Sequence, residues 1–171
     1  TSAERLWCDI ISAMRKRLLQ LDAQLVHVIQ KISVPVARLS LFLVFFWFGL
    51  LKVLDISPAR EIVFELFQTT ILTPIPFEGF FIFLGVLEML IGIAFLIPRA
   101  ERFAIALLIP HMITTVLPLF KLPDFTFQMA WVPTLEGQYI IKNIVLIAAG
   151  IGIAAHLRPM RHRVQKHLDE L

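Results

Sequence analysis

Residues Gly79–Pro98 read GFFIFLGVLEMLIGIAFLIP, twenty positions with a single charge, Glu88, at their centre. A helix rises about 1.5 Å per residue and a hydrocarbon core is about 30 Å thick, so a stretch of this length spans a bilayer. A carboxylate at that depth costs a few kcal/mol at least, so it turns inward toward a partner or takes up a proton. Working outward, three further apolar stretches of spanning length flank this one. Val34–Leu54 has LSLFLVFFWFGLL at its centre, Phe103–Phe120 reads FAIALLIPHMITTVLPLF, and Gly137–Leu157 reads GQYIIKNIVLIAAGIGIAAHL. The expected fold is all-α: an integral membrane four-helix bundle with spans at about 34–54, 79–98, 103–120 and 137–157, preceded by an N-terminal amphipathic helix.

Composition points the same way. Hydrophobic residues make up 58% of the 171 positions and charged ones 17%, and the mean hydropathy is +0.80, against roughly 45–50% apolar residues in soluble domains. The net charge of +3 is small and its lysines and arginines form no aromatic-interleaved patch, so nucleic acid is not an expected partner. One cysteine, Cys8, allows neither an internal disulfide nor a CxxC pair. No cleavable signal peptide is expected, because more than thirty polar-rich residues precede the first long apolar run, and Thr1 is read as following a removed initiator methionine.

Most of the ten prolines fall at or near span ends, where a missing N–H is least costly. Pro110 lies inside the third span, where it is expected to kink the helix and free a carbonyl that neighbours must satisfy. Basic residues set the orientation. Arg5, Arg15, Lys16, Arg17, Lys31 and Arg38 precede or open the first span, Arg99 and Arg102 join spans two and three, and Arg158, Arg161, Arg163 and Lys166 lie in the tail, 158–171. The other two loops carry Arg60 and Lys121 among six acidic residues. The positive-inside rule therefore places both termini and the loop between spans two and three in the cytoplasm, as an even number of spans requires for the termini.

Residues 1–33 are not read as a span. Leu6, Ile10, Met14, Leu18, Leu21, Leu25, Val28 and Ile32 recur at three- and four-residue spacing, with charged and amide side chains elsewhere around the helix. Such a helix lies on the membrane surface, or it docks a partner membrane subunit. A second amphipathic stretch, 58–72, is expected in the first loop.

Helical rise gives each polar residue a depth. Glu88 lies about 14 Å from its end of span two, His111 about 12 Å into span three, Lys142 about 8 Å into span four and Lys52 about 5 Å from the end of span one. Side chains lean toward the N-terminus of their own helix, which tilts Lys52 and Glu88 toward each other. Gly85, Glu88 and Gly92 share one face, as do Asn143, Gly150 and Ala154, and small residues beside a polar one mark a packed face. Lys52, Glu88, His111, Lys142 and Asn143 are therefore expected to form an intramembrane cluster. Two roles are open to it: ion pairs that fix helix register, or a site for a small molecule, a quinone head group or a proton. Ligation of haem or chlorophyll by His111 rests on a lone histidine beside a proline and is the weaker reading. His156, His162 and His167 lack metal-site spacing, and no nucleotide, hydrolase or zinc motif suggests an enzyme.

Three pieces resemble the DoxX-like superfamily of small four-helix bacterial membrane proteins, and within it the reactive-chlorine-resistance branch. They are Arg38 with Gly49-Leu50-Leu51-Lys52, Gly85-Val86-Leu87-Glu88 with Gly92, and Leu135-Glu136-Gly137-Gln138-Tyr139-Ile140-Ile141-Lys142-Asn143. The resemblance covers roughly Val34 to His156 and implies a four-helix inner-membrane bundle linked to quinone or redox-stress metabolism, acting if at all as part of a quinone-linked oxidoreductase. Members that exchange thiols and disulfides need paired cysteines, which this chain lacks. The N-terminal helix lies outside that pattern and leaves a second role open, as an accessory subunit of a larger respiratory or photosynthetic membrane complex.

Overall fold

A computed structural model describes residues 2–70 and 75–157, with side chains described at Trp7 and from Met14 onward. The basic tail, 158–171, with His162 and His167, lies outside the described residues. Helix α1 is Ser2–Val53, α2 Arg60–Thr70, α3 Phe77–Leu96, α4 Glu101–Val116 and α7 Leu135–Ala155. Between α4 and α7 come two single turns, α5 Pro118–Lys121 and α6 Pro123–Thr126, and a small antiparallel hairpin, β1 Phe127–Met129 with β2 Val132–Pro133. Among the described residues, four helices are long and apolar enough to cross a membrane: Met14–Val53, Phe77–Leu96, Glu101–Lys121 and Leu135–Ala155. The expected all-α bundle is what forms, and the chain is a multi-pass membrane protein.

The chain divides into two compact units, Thr1–Val36 and Ala37–Leu171. In the first, the described side chains of α1 are exposed but for the half-buried Val34, and Leu18, Leu21, Leu25, Val28 and Ile32 are among the exposed ones. Helix assignment continues through Pro35, which was expected near a span end. Proline lacks the N–H that would reach the carbonyl of Lys31, so that carbonyl loses its helical partner while the helix carries on.

The second unit is the bundle. Its pattern on α3 inverts that of a soluble helix: Phe83, Val86, Leu90 and Ile93 are exposed, whereas Glu88 is buried with Phe81, Gly85, Ile91, Gly92 and Phe95. An apolar outside around a charged inside suits lipid and not water. Burial of Leu41, Phe45, Ile91, Ala94, Phe95, Ala104, Leu108, Met112 and Ile153 forms one continuous core. In lipid such packing contributes through close contact more than through exclusion of water.

Local chemistry sets the helix ends. At the end of α1 the amide of Ile56 donates to Leu51 O (3.0 Å) and that of Asp55 to Lys52 O (3.1 Å), with Asp55 at φ 58°. This is the paired closure in which a left-handed residue stops a helix, here without the usual glycine. Pro98 and Arg99 make the turn into α4, with Arg99 at φ 72° and the Ala100 amide donating to Ile97 O (3.2 Å), a type II turn. Thr134 caps α7: its hydroxyl accepts from the Gly137 amide (3.1 Å) and donates to Phe125 O (2.9 Å). A side chain at Gly137 would run into the carbonyl oxygen of Thr126. The opening of the Leu135–Asn143 motif thus has a structural account in its cap and its close approach.

Arg38 closes the end of the bundle that holds the α3–α4 turn. Its guanidinium donates to Phe95 O (2.6 Å), Leu96 O (3.2 Å) and Glu101 Oε1 (2.8 Å), meeting the last carbonyls of α3 and the first turn of α4 together. A cation at a helix C-terminus also complements the helix dipole.

A candidate polar site inside the bundle

Glu88 occupies the middle of α3, and its face reads Phe81, Gly85, Glu88, Ile91 and Gly92, all buried. Glycine at 85 and at 49 lets α1 and α3 touch backbone to backbone. A Cβ on Gly85 would stand 2.7 Å from Gly49 O and 2.9 Å from the Lys52 Cβ, and one on Gly49 would stand 2.5 Å from Gly85 O. This crossing brings Lys52, one turn beyond Gly49, onto Glu88. The Lys52 ammonium donates to Glu88 Oε2 at 2.6 Å, and both side chains are 7% exposed.

The crossing also explains how residues of unequal expected depth meet. From Gly85 back to Phe77, α3 runs about 12 Å, whereas α1 runs only about 6 Å from Gly49 to Val53. Helix α1 therefore stops short of α3 at this end. Helix α2 packs on the first turns of α3 there through Phe64 and Phe67 against Phe77, with Phe67 also beside Phe80. Phe77 stacks on Phe81, and the Arg60 guanidinium stands over the rings of both, at 5.4 and 5.6 Å, while pairing with Asp55. Ser57 is buried in the same linker.

The third member comes from α4. His111 Nε2 lies 3.3 Å from Glu88 Oε1, and its side chain is 2% exposed. Pro110 precedes it inside α4, and Thr114 donates to the His111 carbonyl at 2.7 Å. The ring meets Phe45 of α1 edge-on, centroids 5.6 Å apart. With Nε2 turned to the carboxylate, the other nitrogen, Nδ1, is buried and has no hydrogen-bond partner among the described residues.

Of the five residues expected to cluster, the structure brings together Lys52, Glu88 and His111. Lys142 does not join them: it is exposed on α7, its ammonium 5.4 Å from the Tyr139 ring centroid. Asn143 is half-buried on α7, whose packed face carries Gly150 against Leu108 of α4. Elsewhere, His156 Nδ1 engages Gly152 O at 2.8 Å on its own helix. Among the described residues no group of three His, Cys, Asp or Glu side chains could hold a metal ion. The aromatic cover with Arg60 and the edge contact of Phe45 were not expected from sequence. The four-residue step from Phe77 to Phe81 to Gly85, leading to Glu88, is the signal that could have shown part of it.

With a neutral imidazole, the charges balance as one ammonium and one carboxylate. If Nε2 carries the ring proton toward Glu88, Nδ1 is a bare acceptor for an O–H or N–H donor. The arrangement can accept a hydrogen bond, or a proton in exchange for one passed to the carboxylate. No protein-family model, curated protein or solved structure matches the chain.

Proposed function

We propose that the protein binds the polar head of a small lipid-soluble ligand of the quinone and quinol class at Lys52, Glu88 and His111, as a non-catalytic component of redox or stress metabolism. The observation that carries this reading is His111 Nδ1. A buried polar atom without a partner costs about 1–3 kcal/mol, and the hydroxyl of a quinol is a donor that would satisfy it. The likeness of the Lys52 and Glu88 motifs to DoxX-like proteins supports the same class. Because Nδ1 is buried, a head group reaches it only by opening the packing around the His111 ring, of which Phe45 is a part. The lysine and arginine distribution supports both termini lying in the cytoplasm, and the DoxX-like resemblance supports a bacterial inner membrane.

The test is titration of purified protein in detergent with short-chain ubiquinol and ubiquinone. Quinol should bind more tightly than quinone, because a quinone offers only acceptors to an acceptor nitrogen. His111→Phe should weaken quinol binding about tenfold, the worth of one hydrogen bond to a buried group. Lys142→Ala should leave it unchanged. Equal binding by His111→Phe and the unaltered protein, or no binding of either ligand, refutes the assignment.

A further inference from the structure

The apolar stripe of the first unit repeats with a period that lipid does not require. Met14, Leu18, Leu21, Leu25, Val28 and Ile32 follow one another at steps of four and three, and all six are exposed, from 48% to 64%. At 3.6 residues per turn they fall within a strip about 80° wide. That is the a and d spacing of a coiled coil, with Leu18, Leu25 and Ile32 at the a positions and Met14, Leu21 and Val28 at the d positions, and the exposed Leu19, Val26 and Ile29 widen the apolar face on one flank. Lys16, Gln20, Ala23, His27 and Gln30 fall on the far side.

We propose that Met14–Ile32 pairs with the same segment of a second copy of this chain as a parallel two-stranded coiled coil. Charge complementarity identifies the occupant and its direction. In a parallel pair each g position faces the partner's e position five residues on, which sets Arg17 beside the partner's Asp22, twice by symmetry. The antiparallel pairing of the same seam would instead set Arg17 beside the partner's Lys31 and Asp22 beside the partner's Asp22. The order of β-branched and unbranched residues is mixed, with isoleucine at one a position and valine at one d position, so the charges decide the direction. The inference is independent of the ligand site, which lies wholly in the other unit.

Cross-linking of the full chain in native membranes tests it, in a Cys8→Ser background. Leu21→Cys puts a thiol in the seam, where parallel, in-register helices bring the two copies together, and Ala23→Cys puts one on the far side. Mild oxidation should give a covalent dimer at twice the monomer mass from Leu21→Cys, about tenfold more than from Ala23→Cys. Adding Asp22→Lys, which sets like charges opposite Arg17, should cut that yield, and Arg17→Glu with Asp22→Lys should restore it. Equal yields from both positions overturn the proposal. So does a product of any other mass, which marks a different partner, or a Leu21→Cys thiol that neither cross-links nor reacts with water-soluble maleimide, which marks a helix lying in lipid.

Discussion

Replacing Glu88 by leucine removes the carboxylate with which a buried ammonium is paired. At 2.6 Å and an effective dielectric of about 20, the Lys52–Glu88 attraction is roughly 6 kcal/mol, and desolvating the two ions costs several kcal/mol each. The pair as a whole is therefore close to neutral for stability, but either half alone is not. Glu88→Leu should cost about 3–4 kcal/mol, near the lower part of the range for breaking buried pairs. Lys52 lies one residue from the end of α1, so its ammonium can partly escape toward that end, which trims the penalty. Glu88→Gln keeps an acceptor for the ammonium and should cost about 1–2 kcal/mol.

The decisive variant is the double one. Lys52→Met with Glu88→Leu replaces the ion pair by apolar groups of similar volume and should cost about 1–2 kcal/mol, mostly for the His111 Nε2 left unpaired, less than either single change. The coupling energy is then about 3 kcal/mol or more. Unfolding by SDS in mixed micelles, followed by far-ultraviolet circular dichroism, gives all four corners of the cycle. If the double variant loses as much as the two single ones added together, Lys52 and Glu88 do not hold each other and the reasoning fails. The double variant also separates two roles, because a bundle that stays folded without the pair can be tested for ligand binding directly.

Arg38→Ala should destabilise the bundle by about 2–4 kcal/mol, since it leaves Glu101 and two α3 carbonyls without their donor, and Arg38→Lys should recover less than half, because one ammonium cannot fan to three acceptors. Equal stability of the lysine variant and the unaltered protein in the same titration would count against that geometry. Arg99→Gly should raise the thermal midpoint by the equivalent of about 0.5–1 kcal/mol, because glycine holds φ 72° without strain. A lowered midpoint would mean that the Arg99 side chain does more there than the turn requires.

The bundle was legible because length and hydropathy in a bilayer leave little choice: α3 and α7 begin and end within two residues of the expected spans. Glu88 was legible for a second reason, since its face could be read from Gly85 and Gly92 as well as its depth. Lys142 shows what depth alone misses. Height along a helix says nothing of direction around it, and Lys142 lies about 80° from Gly150, the residue that marks the packed face of α7. The end of α1 at Val53 also falls one residue from the expected Leu54, although an aspartate and not a glycine takes the left-handed position at 55. The continuity of α1 through Pro35 was hidden because losing one hydrogen bond in so long a helix does not stop it.

Along α1, residues 38, 41, 45, 49 and 52 form one inward stripe, with a cation at each end and Leu41, Phe45 and Gly49 between. The facing stripe of α3 supplies a carboxylate for Lys52 and, about 12 Å away, the terminal carbonyls for Arg38. Apolar packing in lipid tolerates sliding, but these two polar layers do not: a slip of one residue turns both cations out of reach at once. Register is therefore already fixed by Arg38 and Lys52 with their partners on α3 and α4. His111 serves that purpose with one of its two nitrogens only. Its Nε2 approaches Glu88 Oε1, the carboxylate oxygen that Lys52 does not meet, while its Nδ1 is left without a partner among the described residues. Leucine or phenylalanine in its place would leave Oε1 unpaired, so it is the second nitrogen, Nδ1, that argues for a ligand.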